Sequence, residues 1–540
     1  QVKEPDRQPI SLGVTKPSMP LVTPVTPGSP TVGTITPTLP VLTSFSVPSI
    51  VAPTAPLPVV ITIPTINSII VNSFNPITPS ITAPSTFQPE MLAYIPDGVT
   101  EYQGYQVNSS QIYLNNFDKI EVASGNTAEI TLAGSGVGTI SGAPVAYTAL
   151  ATPSASGTLA IGNSSSAGMR TFISTTGYTS GVAENVDVIG DYIMRNNSTI
   201  STAYYFVSLN TCWYGDNGVV RITPGSNLTL YGHSTNSNSI LIGMRLQLNG
   251  RDTPNNGATL KNEGNLIING GQSVIGVMIT NETVQTPVAA TNKPKFINAG
   301  NIKLTSNSTK SIGIDFGHYA GFYPVVDVTI GNIELEGTAS YGVRIPNIID
   351  NNGSVQAGSA NLPDYYKLAV LDGSSGEIKV AGKNNIGISF SKNITPTGAT
   401  NIVDNIKNLN IKINGEENIG ILRRSDYKTS QNEEMILNSS HIQSLDFDSN
   451  ALKSVLIRSD KYGITLDKDI TINKGLGNNV VIQANGTGTS IINNTGRTIT
   501  LGTGAKTSIG MLSSNNGYLE NKGNIIVNEE KSQATAVLAG

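Results

Sequence analysis

From residue 262 onward, apolar and polar positions alternate in short bursts that return as a degenerate repeat. Each unit opens on Asn-x-Gly-Asn or a shortened form of it, passes through an alternating run and a polar turn, and closes on Ile-Gly-Ile or a relative. Instances are 262–277 (NEGNLIINGGQSVIGV), 298–314 (NAGNIKLTSNSTKSIGI), 331–343 (GNIELEGTASYGV), 376–388 (GEIKVAGKNNIGI), 407–421 (KNLNIKINGEENIGI) and 494–511 (NTGRTITLGTGAKTSIGM), with a weaker copy from 521. A period of two predicts strands, and no unit carries the longer apolar stripe that a helical repeat would need. Return of the motif about every 30 to 45 residues marks a repeat architecture. Two or three short strands cannot bury an apolar side alone, but stacking each unit on the next creates a continuous interior. Leu266, Ile268, Ile302, Leu304, Ile333, Leu335, Ile378 and Val380 are the predicted inward columns, each worth roughly 1.5–3 kcal/mol when fully buried. Asn and Gly suit the corners, where aligned Asn side chains can hydrogen-bond up the stack. The expected fold is all-β: a right-handed parallel β-helix, a solenoid of some 15 coils about 70 Å long at about 4.8 Å per coil.

Irregular spacing between units then reads as insertions that leave the stack as loops, at 283–295, 318–324, 361–367 and 425–434. The first part of the chain has a different texture. Through residues 1–98 prolines recur every few positions among Thr, Ser, Val and Ile, as in LVTPVTP at 21–27 and APTAPLP at 52–58. Proline fixes φ and gives no ladder donor, so this segment is expected to be extended, near polyproline II. Two readings stand: a flexible stalk, or an arm docked along a larger body. The intervening Val and Ile, wasted in a free linker, favour the second. The resulting division is an extended segment at 1–98, an irregular β region with the first coils at 99–260, and β-helix repeats at 261–540.

Composition narrows the function. Charged residues make up only 13% of the 540, about half the usual share, and Asn, Ser, Thr and Gly carry the polarity instead. The net charge of −4, from 33 basic and 37 acidic residues without blocks, offers no basic face to displace counterions, which argues against nucleic acid. A single cysteine, Cys212, excludes an internal disulfide framework and a thiolate zinc site. It reads as an inert buried thiol. The start at Gln1 without Met or an apolar signal core reads as a mature or trimmed product. No run of about 20 apolar residues predicts a membrane helix.

The Pro/Thr/Val-rich N-terminal segment, leading into Asn/Gly/Ile-rich coils with NxGxIxI…IGI units, resembles the very large autotransporter adhesins of fusobacteria, in the RadD-like family. The likeness covers most of the chain. It implies a type V secretion passenger, part of a longer protein whose C-terminal barrel anchors it in the outer membrane, exposed at the cell surface. It also implies adhesion to host cells and to other bacteria, with host-cell glycans of the Gal-GalNAc type or the inhibitory immune receptor TIGIT as partners. No binding residue of that family is recognisable here by motif. A monomer is expected, with no cofactor.

Parallel β-helices host polysaccharide-cleaving enzymes, and hydrolysis needs two carboxylates at close range. No Asp-Asp pair occurs, and Asp315, Asp327, Asp350 and Asp404 fall in different units, though adjacent coils could still bring two together. Of the three histidines, His233, His318 and His441, none has a nucleophilic Ser context nearby. The run DFDSN at 446–450 opens like a calcium loop, but Ala451 and Ile457 stand where glycine and a bidentate Glu belong. No metal ligands and no catalytic residues are therefore assigned. Aromatics are more informative, because they crowd the irregular stretches. Tyr204, Tyr205, Phe206, Trp213 and Tyr214 lie close to Asp216 and Asn217; His318, Tyr319, Phe322 and Tyr323 share an insertion; Tyr365 and Tyr366 share another. Rings with a polar handle suit partner binding, and rings beside Asn and Asp suit a sugar. They also suit a plug or pin that holds a loop on the helix. The candidate ligand-binding residues are Trp213, Tyr214, Asp216, Asn217, His318, Tyr319, Phe322, Tyr323, Tyr365 and Tyr366. The expected function is adhesion; a polysaccharide-processing enzyme and a structural spacer are the alternatives.

Overall fold

A computed structural model describes residues 101–539, apart from short connections before residue 186 and the stretches 198–203, 213–218, 236–238, 249–258, 282–293, 317–325, 346–369, 391–405, 424–433, 461 and 529–533. The chain divides into two units, Gln1–Ser73 and Phe74–Gly540, and every described residue belongs to the second. Among the described residues there is no helix. The strands form a parallel β-helix. Each coil supplies three of them, as the coil of Thr259–Asn262, Asn265–Ile268 and Val274–Asn281 shows. The sheets built from these three positions are called sheets 1, 2 and 3.

Sheet 1 has nine strands, and sheets 2 and 3 have thirteen each. From 186 onward every pairing between strands is parallel and links one coil to the next. Thus Leu266 pairs with Ile302 and Ile302 with Ile333 in sheet 2, while Ile275 pairs with Ile312 and Ile312 with Tyr341 in sheet 3. Strands about 4.8 Å apart give sheet 3 a length of roughly 58 Å. That is shorter than the repeat count implied. In sheets 1 and 2, strands at Gly138–Gly142, Val145–Ala149 and Leu159–Ile161 pair antiparallel. Val145–Ala149 and Gly138–Gly142 pair with the outermost coil strands of sheets 1 and 2 and add no coil of their own.

The predicted inward columns are inward: Leu266, Ile268, Ile302, Leu304, Ile333, Leu335, Ile378 and Val380 all belong to one continuous buried cluster. The alternation of buried and half-exposed positions in sheets 1 and 2 follows the sequence alternation residue by residue. Corner chemistry is equally direct. In Asn-x-Gly-Asn, the first Asn is buried and ties coils together: Asn262 Nδ2 donates to Asn298 Oδ1 at 2.8 Å, and Asn298 Nδ2 to the Ile330 carbonyl at 2.7 Å. At the Gly300 corner the coils press together so closely that a Cβ would collide with the Gly264 carbonyl. The Asn that precedes Ile-Gly-Ile forms a second buried chain, in which Asn385 Oδ1 accepts from the Ser340 amide and Asn418 Oδ1 from the Asn385 amide. Each such amide satisfies backbone groups that a turn would otherwise bury without partners.

Sheet 3 departs from simple alternation. In Ile-Gly-Ile the first residue points out, while the glycine and the residue after it both face the interior: Ile275 lies in an outer cluster, Val277 in the inner one. A Cβ on Gly276, Gly313, Gly342 or Gly387 would lie 2.5–2.6 Å from the carbonyl oxygen of the residue stacked on it, tighter than van der Waals contact allows. The glycines thus let the strand carry two successive inward positions. The outer side is apolar too, and Ile275, Ile312, Ile386, Ile419, Val455, Val480 and Ile509 are fully buried there. Between Ser239 and Ser514 nearly all the described side chains of sheet 3 are buried, on both faces.

Candidate functional site

All ten ligand-binding candidates, Trp213, Tyr214, Asp216, Asn217, His318, Tyr319, Phe322, Tyr323, Tyr365 and Tyr366, lie outside the described residues. So does the Cys212 side chain. Their anchor points are described, and they share one feature. The stretch 213–218 joins Tyr204–Cys212 of sheet 3 to Val219–Ile222 of sheet 1. Residues 317–325 join Ile312–Phe316 to Asp327–Thr329, and 346–369 join Tyr341–Ile345 to Val370–Asp372, again from sheet 3 to sheet 1. The three aromatic-bearing insertions leave from the same corner of the solenoid. The last two leave from consecutive coils, whose sheet 3 strands pair directly through Ile314 and Val343, so their roots are about 4.8 Å apart.

The described surface with most polar definition is the outer side of sheet 2. Asn227, Asn265, Asn301 and Asn332 stack in register there. Asn265 Nδ2 donates to Asn227 Oδ1 at 2.7 Å and Asn301 Nδ2 to Asn265 Oδ1 at 3.0 Å. An amide has two donors and an oxygen with two lone pairs, so each rung uses half its capacity along the ladder and keeps half for solvent or a ligand. One step along the strands, Lys303 Nζ donates to Glu334 Oε2 at 3.2 Å and to Glu336 Oε1 at 2.7 Å, and Lys379 Nζ donates to Glu334 Oε1 at 2.7 Å. Asn265, Asn301 and Asn332 with Lys303, Glu334 and Lys379 line an open groove of about 350 Å³, which Ile267 also lines.

Partial burial pushes the Glu334 carboxyl up, but hydrogen bonds and charge from Lys379 and Lys303 outweigh it and hold the group below its usual value. Glu334 is therefore an anionic acceptor at neutral pH, suited to take hydroxyl protons in hydrogen bonds and unsuited to give one up as a general acid. Lys303 is raised, chiefly by its hydrogen bond to Glu336. The sequence reading did not single out this surface. Its signal was present: the polar positions between the apolar ones carry Asn at the same place in successive units, with Lys and Glu alternating two residues later.

The DFDSN run ends the strand Ile442–Phe447 and then turns at 448–450. Asp446 accepts from the Phe447 amide and Asp448 from the Ser449 amide, each at 2.8 Å, and Lys412 lies 3.4 Å from Asp448. Among the described residues no group of three or more His, Cys, Asp and Glu is placed to hold a metal ion. His441 closes a turn in which its Nδ1 accepts from the Asn438 amide at 3.3 Å. The fold and these surfaces define a parallel β-helical scaffold with a polar, ion-paired outer sheet and a corner that sprouts insertions. No family model, curated protein or solved structure matches the chain.

Proposed function

We propose that this chain is an adhesive passenger of the cell surface, in which the β-helix is the scaffold and the insertions at the sheet 3 to sheet 1 corner are the binding elements. The observation that carries this reading is the common origin of the aromatic insertions, two of them on consecutive coils. A rigid stack with loops issuing from one edge gives several weak contacts a fixed spacing, the usual division between scaffold and functional loop. Linked contacts of that kind raise avidity without any new chemistry. The ligand proposed is a host-cell glycan presenting galactose or N-acetylgalactosamine, because rings flanked by Asn and Asp offer both a stacking face and hydrogen-bond partners. A protein receptor such as TIGIT is the second partner class. The spacer and polysaccharide-processing alternatives are both addressed by the same experiment.

The test is binding of the full chain to epithelial and lymphoid cells, with and without excess galactose or N-acetylgalactosamine, beside a variant in which 317–325 is replaced by a short Gly-Ser connection. Sugar-sensitive binding that the variant loses supports the glycan reading. Sugar-insensitive binding that the variant loses moves the proposal to a protein receptor. Absence of binding to either cell type overturns adhesion and favours a spacer, and release of sugar fragments favours the enzyme.

A further inference from the structure

The asparagines on the outer side of sheet 2 lack the structural duty that the inner ones perform. Asn262 and Asn298 tie down backbone carbonyls of the next coil. The Asn265 and Asn301 side chains bond only to other amides of their own column. Both are accessible, so water would serve them as well, and Asn is disfavoured within strands. Yet the column is locked. At one end Asn227 Nδ2 donates to Asp191 Oδ1 at 2.6 Å, and a carboxylate there only accepts. At the other end the Glu377 amide donates to Asn332 Oδ1 at 3.3 Å. The two ends demand the same amide orientation, so no member can flip without losing a bond. The result is a row of four amides fixed before any ligand arrives, each with an N–H and a lone pair to spare.

The groove beside this row runs across the strands, from the coil of Asn265 to that of Lys379. Those four coils span about 14 Å. Its volume of about 350 Å³ falls within the range of small-ligand clefts, about 300–1,000 Å³. A second row follows the first, with Lys303, Glu334 and Lys379 in register on consecutive coils. Lysine stems lie along apolar surface while their ammonium groups reach solvent, so they add apolar contact beside the half-exposed Ile267. The charges that line the groove cancel: Lys303 and Lys379 stand against Glu334 and Glu377. Every lining residue lies on a described strand or directly beside one, and no insertion contributes.

We infer that this groove binds a neutral, extended oligosaccharide of β-1,4-linked pyranose rings, laid across the strands along the amide row. A sugar hydroxyl donates and accepts at once, which matches an N–H and a lone pair on every rung, with Glu334 as acceptor and the lysines as donors. A ring and its equatorial linkage advance by close to one rung, so successive rings meet equivalent amides. An extended peptide advances only about 3.3 Å per residue and falls out of step with rungs about 4.8 Å apart. A polyanion would face Glu334 and Glu377, and a polycation would face Lys303 and Lys379. The C–H faces of the rings have Ile267 and the lysine stems to rest on. Because the row is already oriented, binding costs little side-chain ordering. This site is separate from the aromatic insertions and does not depend on their role.

The test titrates the full chain by calorimetry with two extended β-1,4-linked chains, cellohexaose and mannohexaose. Maltohexaose, whose α-1,4 links make it coil, and hexagalacturonate, which is charged, are the comparisons. At least one extended chain is expected to bind, at least tenfold more tightly than either comparison. Asn265→Ala combined with Asn301→Ala removes two accessible rungs and should weaken that binding about tenfold, with a circular dichroism spectrum like the parent's. Hydroxyl-radical footprinting of the parent gives a readout that no variant's folding can disturb. The bound chain should protect Ile267 and leave Ile436 and Ile526, exposed elsewhere, unchanged. No binding of either extended chain, equal affinity for a comparison, full binding by the folded double variant, or protection confined to other surfaces would each overturn the assignment.

Discussion

Two kinds of glycine occupy this chain for different reasons, and substitution separates them. Gly387 has its Cβ position filled by the Gly420 carbonyl oxygen at 2.6 Å, with a Val380 methyl at 3.0 Å. Gly225 has open space around it but a φ of +81°, where an L-residue is strained. Gly387→Ala forces two coils apart and is expected to destabilise by about 1–3 kcal/mol, whereas Gly225→Ala should cost about 1 kcal/mol. Asn adopts positive φ with less strain. Gly225→Asn should therefore recover most of the loss in urea unfolding, and Gly387→Asn should be worse than the alanine variant. Asp446 offers a pH-dependent counterpart. Burial pushes its carboxyl up, outweighing the Phe447 amide and the nearby lysines. An acid with a raised folded pKa weakens the fold above that pKa and has no effect below its unfolded value, near pH 4. Asp446→Asn is thus expected to raise the urea midpoint at pH 7 and to match the parent at pH 3. Glu334 has the opposite sign: its lowered pKa stabilises above the unfolded value and the benefit fades as pH falls through the folded one. The advantage of the parent over Glu334→Gln should shrink on acidification below pH 4 and also on adding salt. Corner glycines and corner asparagines were legible because residue type alone names the conformation. Asp446 was legible only as a polar turn, since its burial depends on neighbouring coils.

Strands and insertions differ in how much the sequence discloses. Sheets 1 and 2 could be read because half their surface faces water, and the alternation of Leu266, Ile268 and their successors with polar residues records that exposure. Sheet 3 was read as another alternating strand, and this was incomplete. Runs such as Ser239–Leu248 and Val274–Asn281 carry apolar residues at adjacent positions, as in Ile240–Ile242 and Val277–Ile279, the pattern of a strand covered on both sides. The glycine within each run masked that signal by resembling a turn residue. The aromatic insertions were located by sequence, but their shared corner was not, because it follows from the coil register. Insertion 391–405 tests the scaffold reading, since it contains no Phe, Trp or Tyr. It leaves from the same corner, between Ile386–Phe390 and Ile406–Lys407. Replacing it by a connection as short as that between Ser459 and Tyr462 should leave the melting temperature nearly unchanged, because loop length alters stability only weakly. Cell binding should survive this change and be lost when 317–325 is shortened instead. Equal loss from both would detach binding from the aromatic residues.

The stack as a whole is not uniform, and its irregularity has a place. Sheet 1 ends at Ile406–Lys407 and a four-stranded sheet takes over from Glu434–Asn438. One coil later sheet 2 ends at Ile442–Phe447 and a three-stranded sheet begins at Ile470–Ile472. Only sheet 3 runs through both breaks. Arg423 sits at this seam, at an inward position held by Phe316, Ile345 and Phe390 in earlier coils. It is wholly buried, donates from a guanidinium nitrogen to the Gly463 carbonyl, and lies 5.4 Å from the Tyr462 ring. In a solenoid, stability is close to a sum of coil terms and nearest-neighbour interface terms. Interfaces that lose one ladder in three are where cooperativity should fail first. Hydrogen exchange in rising urea is therefore expected to resolve two blocks, 259–423 and 462–528, opening at different urea concentrations. A single opening isotherm for both would show that sheet 3 alone suffices to couple them. Arg423→Ala opens a cavity in the inner column and should destabilise by about 2–5 kcal/mol. The loss should widen the separation between the blocks, because the Gly463 carbonyl on the far side is left buried. Arg423→Met, similar in volume and apolar like its column neighbours, should cost far less. If both variants instead shift the two blocks together by equal amounts, the arginine serves its own coil and does not bridge the seam.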